Sequence, residues 1–173
     1  NCPAVMVSHM LGFARGDWIG FSFVGDVFPP HYIYESLKVA LTKQGASMMY
    51  FDDDVIKSVN TKSGELVRHL PQLKPEFSVD MLLSHNYIGL SFVTKKSALR
   101  RMLDAEDRSN KAVEVNFPYD LALGSVSALR RKIHLSRFGD KYPIVHVAKV
   151  LRHRDLSCPE SVKHEQSKLA FLS

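Results

Sequence analysis

Residues 18–54 read WIGFSFVGDVFPPHYIYESLKVALTKQGASMMYFDDD, and the order of apolar runs within them decides the fold. The first run, Trp18 to Val24, is almost wholly apolar, as a strand buried on both faces would be. Gly25 and Asp26 then make a turn. Pro29 and Pro30 open a helix with Ile33, Leu37, Ala40 and Leu41 along one face, and Gly45 is the residue type that ends helices. Ser47 to Phe51 is a second apolar run of strand length. Strand, helix, strand in that order predicts an α/β domain, a mixed but mainly parallel sheet flanked by helices.

Working outward, Pro3 suits the first turn of a helix, and Met6, Met10, Leu11, Phe13 and Ala14 recur at helical spacing until Gly16. Beyond Asp54 the chain turns polar, and Asn60 with Ser63-Gly64 predicts a hairpin or long loop that leaves through Lys74-Pro75. Ile88 to Val93 reads as a strand and Ser97 to Ala105 as a short helix capped by Ser97. Pro118 opens a further helix through Leu121, Leu123 and Val126, and Ile144 to Leu151 is the last strand. With no internal repeat and no Gly/Ser linker, residues 1–173 form one expected domain. Residues 155–173 are expected to be a flexible tail. The chain starts inside a helix, so it reads as part of a longer protein.

Hydrophobic residues are 45 % of the chain and charged residues 24 %, the balance of a globular domain rather than a disordered one. No run approaches the roughly 20 apolar residues of a membrane span. Asn1 to Arg15 lacks the basic segment and cleavage site of a signal peptide. Cys2 and Cys158 stand far apart without metal-ligand spacing, which predicts a reducing compartment and no disulfide framework. The net charge of +5 favours anionic partners, but no RRM, KH or helix-turn-helix signature accompanies it, so nucleic acid is not the expected partner. The basic clusters Lys95 to Arg101, Arg130 to Lys132 and Lys149 to Arg154 read as solvated faces.

Two groups could carry chemistry. Asp52, Asp53 and Asp54 follow a predicted buried strand, and in open α/β sheets the ligand crevice lies outside the carboxyl ends of strands. Three adjacent carboxylates either hold a divalent cation, which in turn holds a diphosphate, or form a solvated acidic turn. His153, flanked by Arg152 and Arg154 at a predicted strand end, is placed near an anionic ligand, although such a residue can equally be a polar strand terminus.

Several segments, taken in order, resemble the bacterial family 2 glycosyltransferases that build polysaccharide and lipopolysaccharide chains. Phe13 to Ile19 resembles the family's LA-x-GE-aromatic-V segment, and Val27 to His31 the stretch after its metal-binding acids. Tyr50-Phe51-Asp52-Asp53-Asp54 is similar to YSDED, Lys74 to Asp80 to KPDWSPD, and Leu83 to Gly89 to LLSxNYIG. Tyr119 to Leu123 matches YDLAL, and His146 to Arg154 resembles HIPKVLYHWR. The resemblance runs from about Leu11 to Arg154 and implies a GT-A fold without its usual first strand. It implies inverting transfer from a nucleotide-diphospho-sugar donor to a glycan acceptor. A divalent metal, Mn or Mg, would be held by Asp26, Asp52 and Asp54, with Asp26, His153 and Arg154 on the donor and Asp120 as the catalytic carboxylate. The implied setting is cytoplasmic, at the inner face of the membrane.

Three positions depart from the family pattern. Phe23 and Gly25 stand where the family writes the first acids of its DxDD motif, leaving Asp26 as the last, and Pro118 stands where it writes the catalytic base. The alternative function is therefore a non-catalytic glycosyltransferase-like module that binds glycan or packs against an active partner domain.

Overall fold

The computed structural model describes residues 3–22, 24–60, 65–107 and 144–155. The expected helix from Pro118, Asp120, which was expected to be catalytic, both cysteines and the expected tail beyond Asp155 lie outside them; Asp155 itself ends β5. The elements in chain order are α1 (Pro3–Phe13), β1 (Trp18–Gly20), α2 (Tyr32–Thr42), β2 (Met48–Asn60), β3 (Glu65–Gln72), α3 (Val79–Ser84), β4 (Phe92–Lys95), α4 (Lys96–Asp107) and β5 (Ile144–Asp155).

β2 is the spine of the sheet. Its first residues pair antiparallel with β4, Met48 opposite Thr94 and Tyr50 opposite Phe92. Its later residues pair antiparallel with β3, Ile56 opposite Arg68. Along both stretches its other edge carries β5 in parallel, Met48 opposite Ile144 and Asp54 opposite His153. β1 extends the sheet beyond β4, again antiparallel.

The α/β class holds, but among the described residues the sheet is mixed with three antiparallel ladders and one parallel ladder. β3 pairs back on β2, Asn60 opposite Glu65, and the chain then passes through α3 and a turn at Gly89, φ 63°, into β4, which also runs against β2. β5, far along the chain, supplies the parallel neighbour of β2, and α2 joins β1 to β2, which run in the same direction on either side of β4.

Alternating residues of β2 feed two cores, as strand geometry requires. Met48 and Tyr50 pack with Leu11, Leu82, Ile88, Phe92, Leu99 and Ile144 on the face covered by α1, α3 and α4. Met49 and Phe51 pack with Val93, Val147 and Leu151 on the face covered by α2. Helices thus lie on both sides of the sheet.

Three expectations shift in detail. β1 stops at Gly20, short of Val24. In α2 the stripe that meets the sheet is Tyr32, Val39 and Ala40, while Ile33, Leu37 and Leu41 are exposed. The buried Glu35 shares the inner side because Lys149 of β5 reaches its carboxylate. Finally, β2 continues through Asp52, Asp53 and Asp54 to Asn60, so the triad is part of a strand and not of a loop beyond it. Helix α3 went unread because six residues are too few to show a period. It is started by Ser78, whose hydroxyl accepts from the Met81 amide at 3.4 Å.

Candidate functional site

Asp52, Asp53 and Asp54 are all buried, at 4 %, 4 % and 2 % exposure. An uncompensated carboxylate in that setting costs several kcal/mol, on the order of the penalty for any desolvated ion, unless charge and hydrogen bonds are supplied. Each of the three has its own partners, drawn from different elements.

Asp52 Oδ1 accepts from the Lys74 amide at 2.8 Å and pairs with His146 Nε2 at 2.9 Å. The His146 ring stacks on Tyr50, centroids 4.8 Å apart, and its Nδ1 lies 3.6 Å from Glu76. Tyr50 donates its hydroxyl to the Pro75 carbonyl at 2.6 Å. Burial, together with the neighbouring Tyr87, raises the Tyr50 phenol far above its usual range.

Asp53 Oδ2 receives the Lys74 ammonium at 2.8 Å and the Ser91 hydroxyl at 2.5 Å, and Arg154 Nε lies 3.2 Å from Oδ1. The Gln72 carboxamide, oriented to suit both neighbours, donates to Asp53 at 3.2 Å and accepts from Arg154 at 3.1 Å. Burial alone pushes the Asp53 carboxyl up. Lys74, Ser91 and Arg154 outweigh it and hold the group below the ordinary carboxylate value.

Asp54 takes Arg68 Nε at 2.6 Å on one oxygen and His153 Nδ1 at 2.5 Å on the other. A carboxylate cannot donate, so this geometry puts the imidazole proton on Nδ1. Asp26 pairs with Arg152, which donates from Nε at 2.8 Å and brings Nη2 to 2.5 Å from the same oxygen. The loop that carries Asp26 is fastened to β5 by a two-way bridge, the Val27 and His153 amides each donating to the other's carbonyl at 2.9 and 2.8 Å.

The structure therefore brings Asp26, Asp52, Asp54, His153 and Arg154 onto one central region of the sheet, each with its own partner. It also adds Lys74, Ser91, His146 and Arg152, which sequence reasoning passed over. Arg152 and Arg154 are buried, contrary to a solvated face. Their signal was the Arg-His-Arg run on a strand otherwise apolar enough to sit centrally, opposite an acidic strand of matching length.

The divalent cation that the resemblance implies does not fit this arrangement. Asp26, Asp53 and Asp54 already hold obligate cations, Arg152 on Asp26, Lys74 and Arg154 on Asp53 and Arg68 on Asp54, while Asp52 is held by His146 and the Lys74 amide. A divalent ion would have to displace those protein cations from the buried carboxylates it bound. Among the described residues no group of three or more His, Cys, Asp or Glu side chains is arranged to hold a metal ion.

Between α2 and the β1 end of the sheet lies an open pocket of about 350 Å³. Trp18, Phe21, Phe28 and Tyr32 supply its aromatic walls and Ser22 and Ser36 its polar points. Gly20 helps keep it open, since a Cβ there would stand 3.2 Å from the Tyr32 hydroxyl. Burial raises the Tyr32 phenol, and Arg152 opposes that shift, which sets the pocket wall within electrostatic reach of the Asp26 pair.

Among the described residues no helix is long and apolar enough to cross a membrane. No family model matches the chain. It is 29 % identical over 93 residues to the O-antigen biosynthesis protein RfbC of Myxococcus xanthus, a match that covers 53 % of this chain and 7 % of that much longer protein.

Proposed function

We propose that the chain is a glycosyltransferase-like domain of polysaccharide biosynthesis, transferring a sugar with inversion from a nucleotide-diphospho-sugar to a glycan acceptor. The observation that carries this reading is the similarity to an O-antigen biosynthesis protein. The local geometry agrees with it: the Asp26 loop, the acidic strand, the Lys74 segment and the His146 to Arg154 strand, four blocks of the family resemblance, meet in one charged cluster.

In this reading the residues divide the work by charge. Arg152 and Arg154 supply fixed positive potential towards the diphosphate, while Asp26 and Asp53 orient their guanidinium planes. Asp54 holds His153 in one tautomer. Asp120 is the carboxylate assigned to the acceptor hydroxyl. The pocket beside Tyr32 offers aromatic surface of the kind on which a nucleobase stacks. Transfer occurs where nucleotide sugars are made, on the cytoplasmic side.

A panel of nucleotide sugars, offered to the full-length protein with and without manganese and with a glycan acceptor, tests the assignment. Release of the nucleoside diphosphate coupled to acceptor elongation is the expected result. Failure of every donor both to bind and to turn over removes the reading.

One observation favours the second reading, a non-catalytic module: Asp26, Asp53 and Asp54 are each already paired with a protein cation. That version predicts donor or glycan binding by calorimetry without turnover.

A further inference from the structure

We propose that the Arg152 guanidinium takes the place of the divalent cation at Asp26. The inference rests on the sugar-transferase reading for the cation expected there, but its core, that a protein cation occupies the metal's position, stands on the ion pair itself.

Asp26 is the last acid of the segment where the resemblance places the metal motif, and the charge that meets it comes from the protein. Arg152 Nε and Nη2 lie 2.8 and 2.5 Å from one Asp26 oxygen, with side chains 2 % and 0 % exposed. A guanidinium so placed is permanently charged and planar, and it is the protein group best matched to phosphate oxygens. Ser91 steadies it from the other side, its hydroxyl 3.4 Å from Arg152 Nη1 while it donates to Asp53. The arginine is thus braced between Asp26 and the Asp53 network.

The glycine beside Asp26 points the same way. Gly25 has φ 93°, and a Cβ there would come within 3.3 Å of Asp155 Cβ and 3.5 Å of its carboxylate. A second acid at position 25 would face Asp155 at close range, a repulsion that a metal ion would relieve. With glycine there the repulsion is absent and one monovalent cation suffices for Asp26.

The test uses Mn²⁺ alone as probe, followed by water-proton relaxation on the full-length protein. The wild type is expected to show no saturable site below about 1 mM, and Arg152→Gln, which frees Asp26 beside Asp155, to gain at least tenfold in Mn²⁺ affinity. Saturable binding by the wild type that Asp26→Asn abolishes overturns the proposal, as does an unchanged Mn²⁺ response in a folded Arg152→Gln protein. Should Arg152→Gln not fold, Arg152→Lys provides the second variant. Lysine keeps the charge, so no gain of Mn²⁺ binding is expected there, and a gain equal to that of a neutral residue counts against the idea. The two readings fail separately: turnover that requires Mn²⁺ keeps the transferase and sinks the arginine substitution, whereas indifference to both Mn²⁺ and nucleotide sugars does the reverse.

Discussion

Arg152 on β5 and Asp26 in the loop after β1 form an ion pair with almost no exposed side-chain surface, two guanidinium nitrogens converging on one carboxylate oxygen. The two residues are 126 positions apart in the chain, and their pairing ties that loop to the central strands.

Removing one member leaves the other charge buried. Arg152→Met is expected to cost about 3–5 kcal/mol, whereas the double change Arg152→Met with Asp26→Leu should recover most of that loss. Equilibrium urea denaturation of the single and double variants measures it, and equal instability in both would show that packing rather than charge sets the cost.

Acid should weaken the fold through Asp53. Its folded-state value is depressed below the ordinary 3.8, burial being outweighed by Lys74, Ser91 and Arg154. A depressed carboxyl stabilises the fold fully above its unfolded value and loses that contribution as pH falls below 3.8 through the folded value. Denaturation midpoints between about pH 6 and 2 should therefore decline more steeply in the wild type than in Asp53→Asn. Asp53→Asn should itself be less stable at neutral pH, because Lys74 loses its counter-charge.

The alkaline side is set by Tyr50 and Tyr32, whose phenols are raised above the ordinary 10.0, chiefly by burial. A raised group stabilises the fold below its unfolded value and withdraws that support as pH climbs past it, here above pH 10. Absorbance at the phenolate band should show these tyrosines ionising only as the protein unfolds. Tyr50→Phe removes the 2.6 Å bond to Pro75 and should cost about 1 kcal/mol at pH 7.

Restoring an acid by Gly25→Asp should not restore a metal site. The backbone there is at φ 93°, a region that side-chain-bearing residues occupy at a cost of about 1–3 kcal/mol, and the new carboxylate would meet Asp155. A loss of stability without manganese rescue in thermal unfolding is the expected outcome. Full rescue by the metal would mean that Arg152 yields its position readily.

Much of the architecture was legible in the chain because it depends on local periodicity. The stretch from Trp18 to Phe51 announces strand, helix and strand through its apolar runs and its paired prolines, and β5 announces itself by the run from Ile144. The directions of the strands were not legible. Antiparallel pairing of β2 with β3 and β4 depends on how the intervening segments turn, and the apolar pattern of a buried strand is the same whichever way its neighbours run. The rotation of α2 is similar: its sequence offers Ile33, Leu37 and Leu41 as an apolar stripe, yet Lys149 on a distant strand draws Glu35 inward and Tyr32 packs against Phe51.

The acidic triad divides in the same way. Its residue types, its place directly after Phe51 and its resemblance to YSDED are properties of the sequence, and they were enough to single out Asp52 and Asp54 with Asp26, His153 and Arg154. Which charges those carboxylates meet was decided only by the tertiary structure. Electrostatic partnership is a matter of distance in space, and two of the cations that settle it, Lys74 and Arg152, come from segments that nothing in the linear order brings beside a strand of aspartates.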